Sequence, residues 1–313
     1  MSNKNLKINL DATGRRIDNY LFNVYKSLPK SKIYNMIRKG EIRVNSCRIK
    51  PTYKLQMDDE IRIPPYLIDF DNDLQDIKIP PKRISDYQSS ILFENNDYIV
   101  VNKDSELSVH SGSSNKFGLI DIARAANPDF EIDLGHRIDK STSGCIVLSK
   151  NKRFLRDFHN QLKNDKVEKI YEAILFGNLK SNLEIESKID TSSKEFLHKV
   201  QVSDLGKIAK SKFIIIKKYN GYTHVHIKIS TGRMHQIRVQ SASMKHPIIN
   251  DTKYGIFSLN KTIAKETGVS RLALHSSTIK FTDLDGSKVS YKAQRCSRFD
   301  ILLNKLSKVA IQS

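Results

Sequence analysis

Cysteine is scarce in this chain, and its spacing excludes two common frameworks. The three cysteines, Cys47, Cys145 and Cys296, lie far apart and form no CxxC pair, which argues against a zinc ribbon and against a set of disulfides. Nine histidines are present, but none has the HExxH or another ligand spacing. His224 and His226 share one face of a predicted strand, a pattern more typical of a solvated face than of a metal site. We therefore expect no metal ion.

The sequence also lacks long apolar runs, and its acidic residues are fewer than its basic ones. No run of about 18 apolar residues could span a bilayer, and residues 1–20 lack the unbroken apolar stretch of a secretory signal. We expect a soluble, cytoplasmic protein with no membrane attachment. The 34 Asp and Glu residues are outnumbered by 53 Lys and Arg, for a net charge of +19. A field of that sign attracts polyanions, and nucleic acid is the favoured partner.

The chain of 313 residues is long enough for one large domain and a small one. Residues 1–64 are predicted to form the small one, an α/β module. Apolar residues recur at helical spacing in 14–26 and again in 31–40, where Ser31 is the expected N-cap and Gly40 suits the position after the helix. Short strands are expected in 41–45 and 59–64.

The small module carries a marked excess of positive charge. Residues 1–63 contain 14 Lys or Arg against 6 Asp or Glu, a surplus of eight. A solvated helix surface is the simplest explanation, but a lattice of ion pairs needs both signs of charge. A face that docks on RNA explains the bias better. The residues expected to contact RNA in this module are Arg15, Arg16, Lys32, Arg38, Lys39 and Arg43.

The remainder divides into a linker, residues 65–88, and a large domain, residues 89–313. The linker is acidic in its first half and carries Pro80 and Pro81. The large domain alternates short strands with one clear helix in 151–165, and Asn220-Gly221 marks a hairpin turn. This pattern indicates an α+β fold with a mainly antiparallel mixed sheet rather than regular βαβ units. We find no internal repeat and no Gly-rich phosphate loop.

Three clusters of polar residues in the large domain could carry chemistry. They are GHRIDKSTSG at 135–144, KIYEA at 169–173 and STGRMHQIRVQ at 230–240. Taken singly, each has an ordinary explanation: an ion-paired turn residue, a core aromatic and a solvated helix start. Their occurrence together in one basic domain favours a site that receives a polyanion, with Asp139 as its carboxylate.

These clusters carry a resemblance to a known family. His136-Arg137-Ile138-Asp139 followed by Thr142-Ser143-Gly144 resembles the HRLDxxTSG signature of the RluA/RluC/RluD family of pseudouridine synthases. KxYxA at 169–173, GRxHQIR at 232–238, a DxxYG-like 251–255 and RLxLH-like 271–275 continue the match. The N-terminal module, residues 1–64, is similar to an S4 RNA-binding domain. The chain departs from the family pattern at 102–106 (NKDSE for NKPxG), at Met234, at Asn250, where Gly is expected, and at 57–59 (MDD for a Gly-Asp turn).

The resemblance implies an isomerase that converts uridine to pseudouridine in RNA without metal or nucleotide cofactor. Asp139 is then the nucleophile or the base, and the sequence does not decide between them. Because burial alone would raise the pKa of such an acid, it needs a cationic partner. Arg233 is the implied partner, with a phosphate contact as the alternative. Tyr171 is implied to pack on the uracil ring.

The remaining residues of the motifs are expected to handle RNA. Arg137 could fill the gap left when the target uridine leaves its stack, or contact phosphate. His136 is expected to orient the loop through a backbone hydrogen bond. The residues expected to contact RNA in this domain are Arg137, His136, His235, Gln236 and Arg238.

The implied partner is large-subunit ribosomal RNA or its precursor particle, and we expect a monomer. Three alternatives stay open at this point. They are a non-catalytic RNA-binding assembly factor, the same chemistry on transfer RNA, and a nucleoside hydrolase or glycosidase. The last lacks a second acid at motif spacing.

Overall fold

Two units make up the chain in the computed structural model, Met1–Lys78 and Ile79–Ser313. Within them the structure describes residues 4–25, 28, 30–65, 79–111, 117–190, 201–202 and 206–306.

The first unit packs two helices on a small sheet. Its elements are β1 (Lys4–Lys7), a short 3-10 helix (Leu10–Ala12), α1 (Ile17–Val24), α2 (Lys30–Lys39), β2 (Arg43–Val44) and β3 (Glu60–Ile63). The three strands are antiparallel in the order β1-β3-β2. Ile17 and Leu21 lie four residues apart on α1 and are fully buried, as are Ile33 and Ile37 on α2. The i,i+4 spacing read from the sequence therefore does produce the two buried helix faces.

The ends of α2 show one expectation confirmed and one corrected. Gly40 follows the helix with φ +73, the left-handed conformation that ends helices and that glycine adopts without strain. Ser31 is not the N-cap, because α2 already begins at Lys30.

The second unit contains most of the chain's strands. These are β4 (Ile91–Glu94), β5 (Tyr98–Lys103), β6 (Asp133–Leu134), β7 (Ser143–Ser149), β8 (Glu168–Phe176), β9 (Leu183–Asp190), β10 (Gln201–Val202), β11 (Lys207–Tyr219), β12 (Tyr222–Ile229), β13 (Leu274–Thr282) and β14 (Lys288–Lys292). Its helices are α3 (Pro81–Ser89), α4 (Leu119–Ala126), α5 (Lys152–Lys163), α6 (Gln236–Ser243), α7 (Phe257–Thr267) and α8 (Ser297–Leu306).

All eleven of these strands belong to one sheet, ordered β10-β9-β11-β12-β8-β13-β7-β5-β4, with β14 beside β13 and β6 beside β7. The pairing of β13 with β7 is parallel, and the other pairings in the described chain are antiparallel. The expected α+β fold with a mainly antiparallel mixed sheet is confirmed.

The parallel pair imposes a glycine in the first motif. Ser276 of β13 lies opposite Gly144 of β7. A Cβ added to Gly144 would lie 2.1 Å from the Ser276 carbonyl oxygen, and the residue has φ +114. Only glycine fits such a close backbone approach with this conformation.

The predicted linker is corrected at its C-terminal end. Its residues 66–78 lie outside the described residues, but 79–88 belong to the second unit and contain most of α3. Pro81 occupies the first turn of α3, where its missing N–H costs nothing. Tyr87 is 4 % exposed and packs with Ile99 and Leu119. The two prolines therefore start a helix here instead of extending a linker.

Helices on the sheet bury large apolar side chains. Phe154 and Phe158 of α5 pack against Tyr98 and Phe281, and Phe299 of α8 is fully buried. Among the described residues, no helix is both long and apolar enough to cross a membrane.

Candidate active site

A small pocket in the second unit brings the three motif clusters together. Its volume is about 70 Å³. Its walls come from the loop between β6 and β7, from β8, from the end of β12 and from the start of α6. The lining residues are Arg137, Ile138, Asp139, Thr142, Tyr171, Ile229, Gly232, Arg233, His235, Gln236, Ile237, Arg238 and Leu274.

The Asp139 carboxylate is paired with an arginine at this pocket. Arg238 Nη1 donates a hydrogen bond to Asp139 Oδ2 at 3.2 Å. The side chain of Asp139 is 23 % exposed, against 5 % for Arg238. The Asp139 carboxylate is therefore accessible from the pocket, while the Arg238 guanidinium that pairs with it is buried.

A second, buried carboxylate holds Arg238 in place. Arg238 Nε and Nη2 donate to Asp251 Oδ2 and Oδ1, both at 2.8 Å. This is the bidentate geometry that a guanidinium and a carboxylate prefer. Burial would raise the pKa of Asp251, but the hydrogen bonds and charge of Arg238 outweigh it and lower that pKa. Backbone N–H groups of Lys253 and Tyr254 also donate to Asp251.

The expected roles of the two motif arginines are corrected. Arg233 does not pair with Asp139; its Nε donates to the Ile208 carbonyl at 3.1 Å, and the side chain is exposed. Arg238, expected to contact RNA, is instead the buried partner of the acid. The reason is local: His235 has φ 54 and α6 begins at Gln236. Arg238 therefore points inward from the first turn, whereas Arg233 precedes the turn on the surface.

His235 and Gln236 also serve the pocket from within. His235 shares a 2.8 Å hydrogen bond between Nδ1 and the Tyr254 hydroxyl, and its Nε2 lies 3.8 Å from Asp139 Oδ2. Burial lowers the pKa of His235. Gln236 is 3 % exposed and bonds with Thr231, Arg233, Lys210 and Ser211. The Gln236 amide therefore fixes the loop, and its expected contact with RNA stays a prediction.

Tyr171 forms a buried wall of the pocket. Tyr171 is 7 % exposed. Burial raises the pKa of its phenol, and the negative charge of Asp139 raises that pKa further. The phenol therefore stays protonated at neutral pH and can donate a hydrogen bond. Its ring offers an apolar face beside the acid.

His136 and Arg137 take different places in the acid's loop. His136 Nε2 accepts a hydrogen bond from the Val147 backbone N–H at 3.2 Å, so the expected backbone hydrogen bond is confirmed. Burial lowers the pKa of His136 to about 3, so the ring is neutral. Arg137 is exposed at the pocket rim, and its side chain makes no hydrogen bond or ion pair within the described ranges. Its expected contact with RNA stays a prediction.

In the first unit, the basic residues differ in their availability. Arg16 is paired with the buried Asp18 through two hydrogen bonds, and Arg43 Nε donates to the Gly40 carbonyl. Arg15, Arg38 and Lys39 are exposed, and their side chains make no hydrogen bond or ion pair in the part of this unit that the structure describes. Lys32 is half-buried.

Sequence reasoning missed two residues that support the acid. Asp251 was noted in its motif without a role. Lys103 is 1 % exposed, and its Nζ donates to the carbonyls of Asp104, Leu107 and Lys140 at 2.7, 2.8 and 3.0 Å. Since Lys140 follows Asp139, Lys103 fixes the acid's loop. A lysine ending the apolar strand YIVVNK was the available signal. Burial lowers the pKa of Lys103 to about 7.

Potential metal ligands do not cluster here. Across the described ranges, His, Cys, Asp and Glu side chains form no group of three or more that could hold an ion.

Comparison with known proteins agrees with the motifs. Residues 97–243 match the family model described as RNA pseudouridylate synthase, and residues 15–61 match the S4 domain. The chain is 39 % identical over 309 residues to a ribosomal large subunit pseudouridine synthase C of Haemophilus influenzae, covering 97 % of this chain and 95 % of that protein. A protein of the same description from Pasteurella multocida is 39 % identical, with coverages of 89 % and 86 %.

A solved structure supports the fold independently. Human RNA Pseudouridylate Synthase Domain Containing 4 aligns with a TM-score of 0.60 at 20 % identity, covering 71 % of this chain and 95 % of that one.

The match to the RNA pseudouridylate synthase model, the S4 domain and the carboxylate at the pocket together identify the class of protein. It is an RNA-modifying isomerase that converts uridine to pseudouridine. The chain belongs to the RNA pseudouridylate synthase family.

Proposed function

We propose that this enzyme isomerises specific uridines of large-subunit ribosomal RNA, with Asp139 as the acting carboxylate. The proposal rests on the position of Asp139. Its carboxylate lines a pocket together with Tyr171 and accepts a hydrogen bond from the buried Arg238. The printed names of the relatives, which match over nearly the whole chain, support ribosomal RNA as the substrate.

The reaction places few demands on the protein. The bond between uracil N1 and ribose C1′ breaks, the base rotates, and a bond forms between C5 and C1′. The C5 hydrogen leaves as a proton and N1 gains one, so nothing is oxidised or reduced. Uracil is a tolerable leaving group because its carbonyls spread the negative charge. One carboxylate can therefore suffice, either by attacking C1′ or by removing a ribose proton.

The neighbours of Asp139 have separate proposed roles. Arg238 holds one oxygen, and Asp251 holds Arg238. Tyr171 packs on the uracil ring before and after rotation. Extrusion of a stacked base costs a few kcal/mol, and Arg137 at the rim fills the space left in the RNA.

Binding to RNA is shared with the first unit. We propose an RNA-binding module in 1–64 that docks through Arg15, Arg38 and Lys39, and a catalytic domain from residue 79 onward. The expected monomeric, cytoplasmic state stays a prediction, which the mass in solution and cell fractionation would test.

The direct test maps pseudouridines in RNA from cells with and without the gene. Loss at particular uridines of large-subunit ribosomal RNA is the expected result. Loss of pseudouridine confined to transfer RNA would identify transfer RNA as the substrate instead. Unchanged pseudouridine everywhere would favour a non-catalytic assembly factor, although such a protein has no use for Asp139 in a pocket.

A further inference from the structure

Lys169 is a buried ammonium that the mechanism does not use. It lies on β8 two residues from Tyr171, so the two side chains share a strand face about 6.6 Å apart along the strand. The residue is 7 % exposed. Its backbone pairs with β12 and β13, but across the described ranges its ammonium makes no hydrogen bond or ion pair. Burial lowers its pKa, and the charge of Arg233 lowers it further against the attraction of Asp165.

Arg233 supplies a second cation at the same place. Only its Nε is engaged, with the Ile208 carbonyl; its terminal nitrogens have no partner in the part of the chain that the structure describes. Arg233 directly follows Gly232, whose added Cβ would lie 3.5 Å from Lys169 Nζ, and the charge of Arg233 disfavours the charged form of Lys169. Arg233 also lines the pocket that contains Asp139.

Gly232 keeps this position open. A Cβ added to Gly232 would lie 3.5 Å from Lys169 Nζ, so the ammonium is directly beneath the glycine. Gly232 also lines the pocket wall. Its φ lies outside the left-handed region, so backbone conformation does not require glycine here. The missing side chain leaves an approach to Lys169.

A desolvated ammonium beside a guanidinium is unfavourable unless an anion binds it. Asp165 attracts Lys169 but forms no ion pair with it among the described residues. A simple packing role for the lysine stem would be served equally well by an uncharged side chain. RNA carries a phosphate at every nucleotide, and Gly232 and Arg233 line the same pocket as Tyr171.

We infer that Lys169 and Arg233 form a phosphate subsite beside the catalytic pocket, which takes a backbone phosphate of the RNA strand next to the target uridine. The inference builds on the proposed function and names the group by which the substrate strand is held. It also gives a role to Arg233, which makes no ion pair with Asp139 among the described residues.

The test is Lys169→Met in the full chain, assayed on transcribed large-subunit ribosomal RNA. Steady-state pseudouridine formation gives KM and kcat, and binding over a salt series gives the slope of log Kd against log salt. We expect KM to rise about tenfold, as for loss of one charge-assisted contact, with kcat within about twofold. The salt slope should become shallower by about 0.7.

Two further variants separate charge from packing. Arg233→Met should show the same pattern as Lys169→Met. Gly232→Ala keeps both charges but covers Lys169, and it should also raise KM. The control is Lys212→Met, which removes an exposed cation paired with Glu184 at 2.7 Å and should leave KM and slope unchanged. The melting temperature of Lys169→Met should equal or exceed that of the wild type, because a desolvated charge is removed.

Several results would overturn the subsite. Wild-type KM and salt slope in Lys169→Met, with normal turnover by the wild type, would refute it while leaving the proposed function standing. A clear drop in melting temperature, or a fall in kcat alone, would assign Lys169 a structural or chemical role instead. If the wild type makes no pseudouridine in this RNA, the proposed function fails, and the salt slope still decides the subsite.

Discussion

Arg238 lies between Asp139 and the interior of the protein, and donates to its Oδ2 at 3.2 Å. The contact uses one guanidinium edge, while the other edge is held by Asp251 at 2.8 Å. The position of the acid's partner is therefore set by a residue that does not line the pocket.

We expect Asp251→Asn to lower kcat by roughly 100-fold, with KM changed by less than about threefold. Asparagine offers one acceptor where the carboxylate offered two, so Arg238 turns away from Asp139, and misplacement of about 1 Å costs this much. Steady-state pseudouridine formation measures the effect. Asp285→Asn is the matched control, since Asp285 is exposed and accepts a hydrogen bond from the Ser287 backbone N–H within its own turn. A kcat equal to wild type in Asp251→Asn would show that Arg238 does not depend on Asp251.

The two motif arginines show where prediction from sequence stops. The motif pattern placed an arginine beside Asp139, and the structure has one there. The choice between Arg233 and Arg238 depends on the residue at which α6 begins, and on His235 adopting φ 54. A left-handed histidine is uncommon for a non-glycine residue, and no local signal marks it. Both arginines are equally consistent with the sequence alone.

Gly144→Ala should lower the free energy of unfolding by about 3 kcal/mol or more, through overlap with the Ser276 carbonyl added to backbone strain. Chemical denaturation measures it. Gly286→Ala isolates the strain, because Gly286 has φ +87 but no neighbour within 4 Å of an added Cβ; about 1 kcal/mol is expected there. Equal losses in both variants would refute the close approach of β7 and β13.

This glycine also marks a limit of local patterns. Hairpins such as β4–β5 and β11–β12 follow from turn residues and alternation, and both are present. The parallel pairing of β7 with β13 joins residues 132 positions apart, such as Ser143 and His275. Turn chemistry carries no information about that pairing, so the contact that demands glycine could not be predicted.

Three of the departures from the family pattern lie at positions with positive φ. Asp58, Glu106 and Asn250 stand where the family pattern has glycine, and all three have positive φ, at 65, 68 and 60. Asn and Asp tolerate the left-handed region better than most residues. These three positions therefore have the left-handed conformation that glycine adopts most readily.

Glu172 should contribute stability that is lost in acid. Burial would raise its pKa, but hydrogen bonds from His224 and Arg295 outweigh it and lower the pKa to about 2, from 4.5. A lowered carboxyl pKa stabilises the fold above pH 4.5, and this stability disappears as the pH falls toward 2. The contribution is about 3 kcal/mol.

The measurement is the free energy of unfolding between pH 6 and pH 2 for wild type and Glu172→Gln. The variant should be less stable at pH 6 and converge with the wild type in acid. Glu186→Gln, an exposed residue paired with Lys210, serves as control and should follow the wild type. Parallel curves for wild type and Glu172→Gln would contradict the assigned pKa.

The exposed cations of the first unit should determine the affinity for RNA without affecting the rate of the chemical step. Replacing Arg15, Arg38 and Lys39 by glutamine should weaken binding and make the salt slope shallower by about 2 to 3. The value of kcat at saturating RNA should not change. Lys7→Gln is the control, since Lys7 pairs with Asp58 at 3.1 Å. An unchanged salt slope in the triple variant would place the docking face elsewhere.

The most direct measurement is pseudouridine formation by Asp139→Asn on large-subunit ribosomal RNA, with affinity for the same RNA measured in parallel. Asparagine can keep the hydrogen bond from Arg238 but can neither attack the sugar nor take its proton. We expect no product above background and a Kd within a few-fold of wild type, since removing a negative charge does not weaken contacts to phosphate. Turnover comparable to wild type would show that Asp139 is not the acting group.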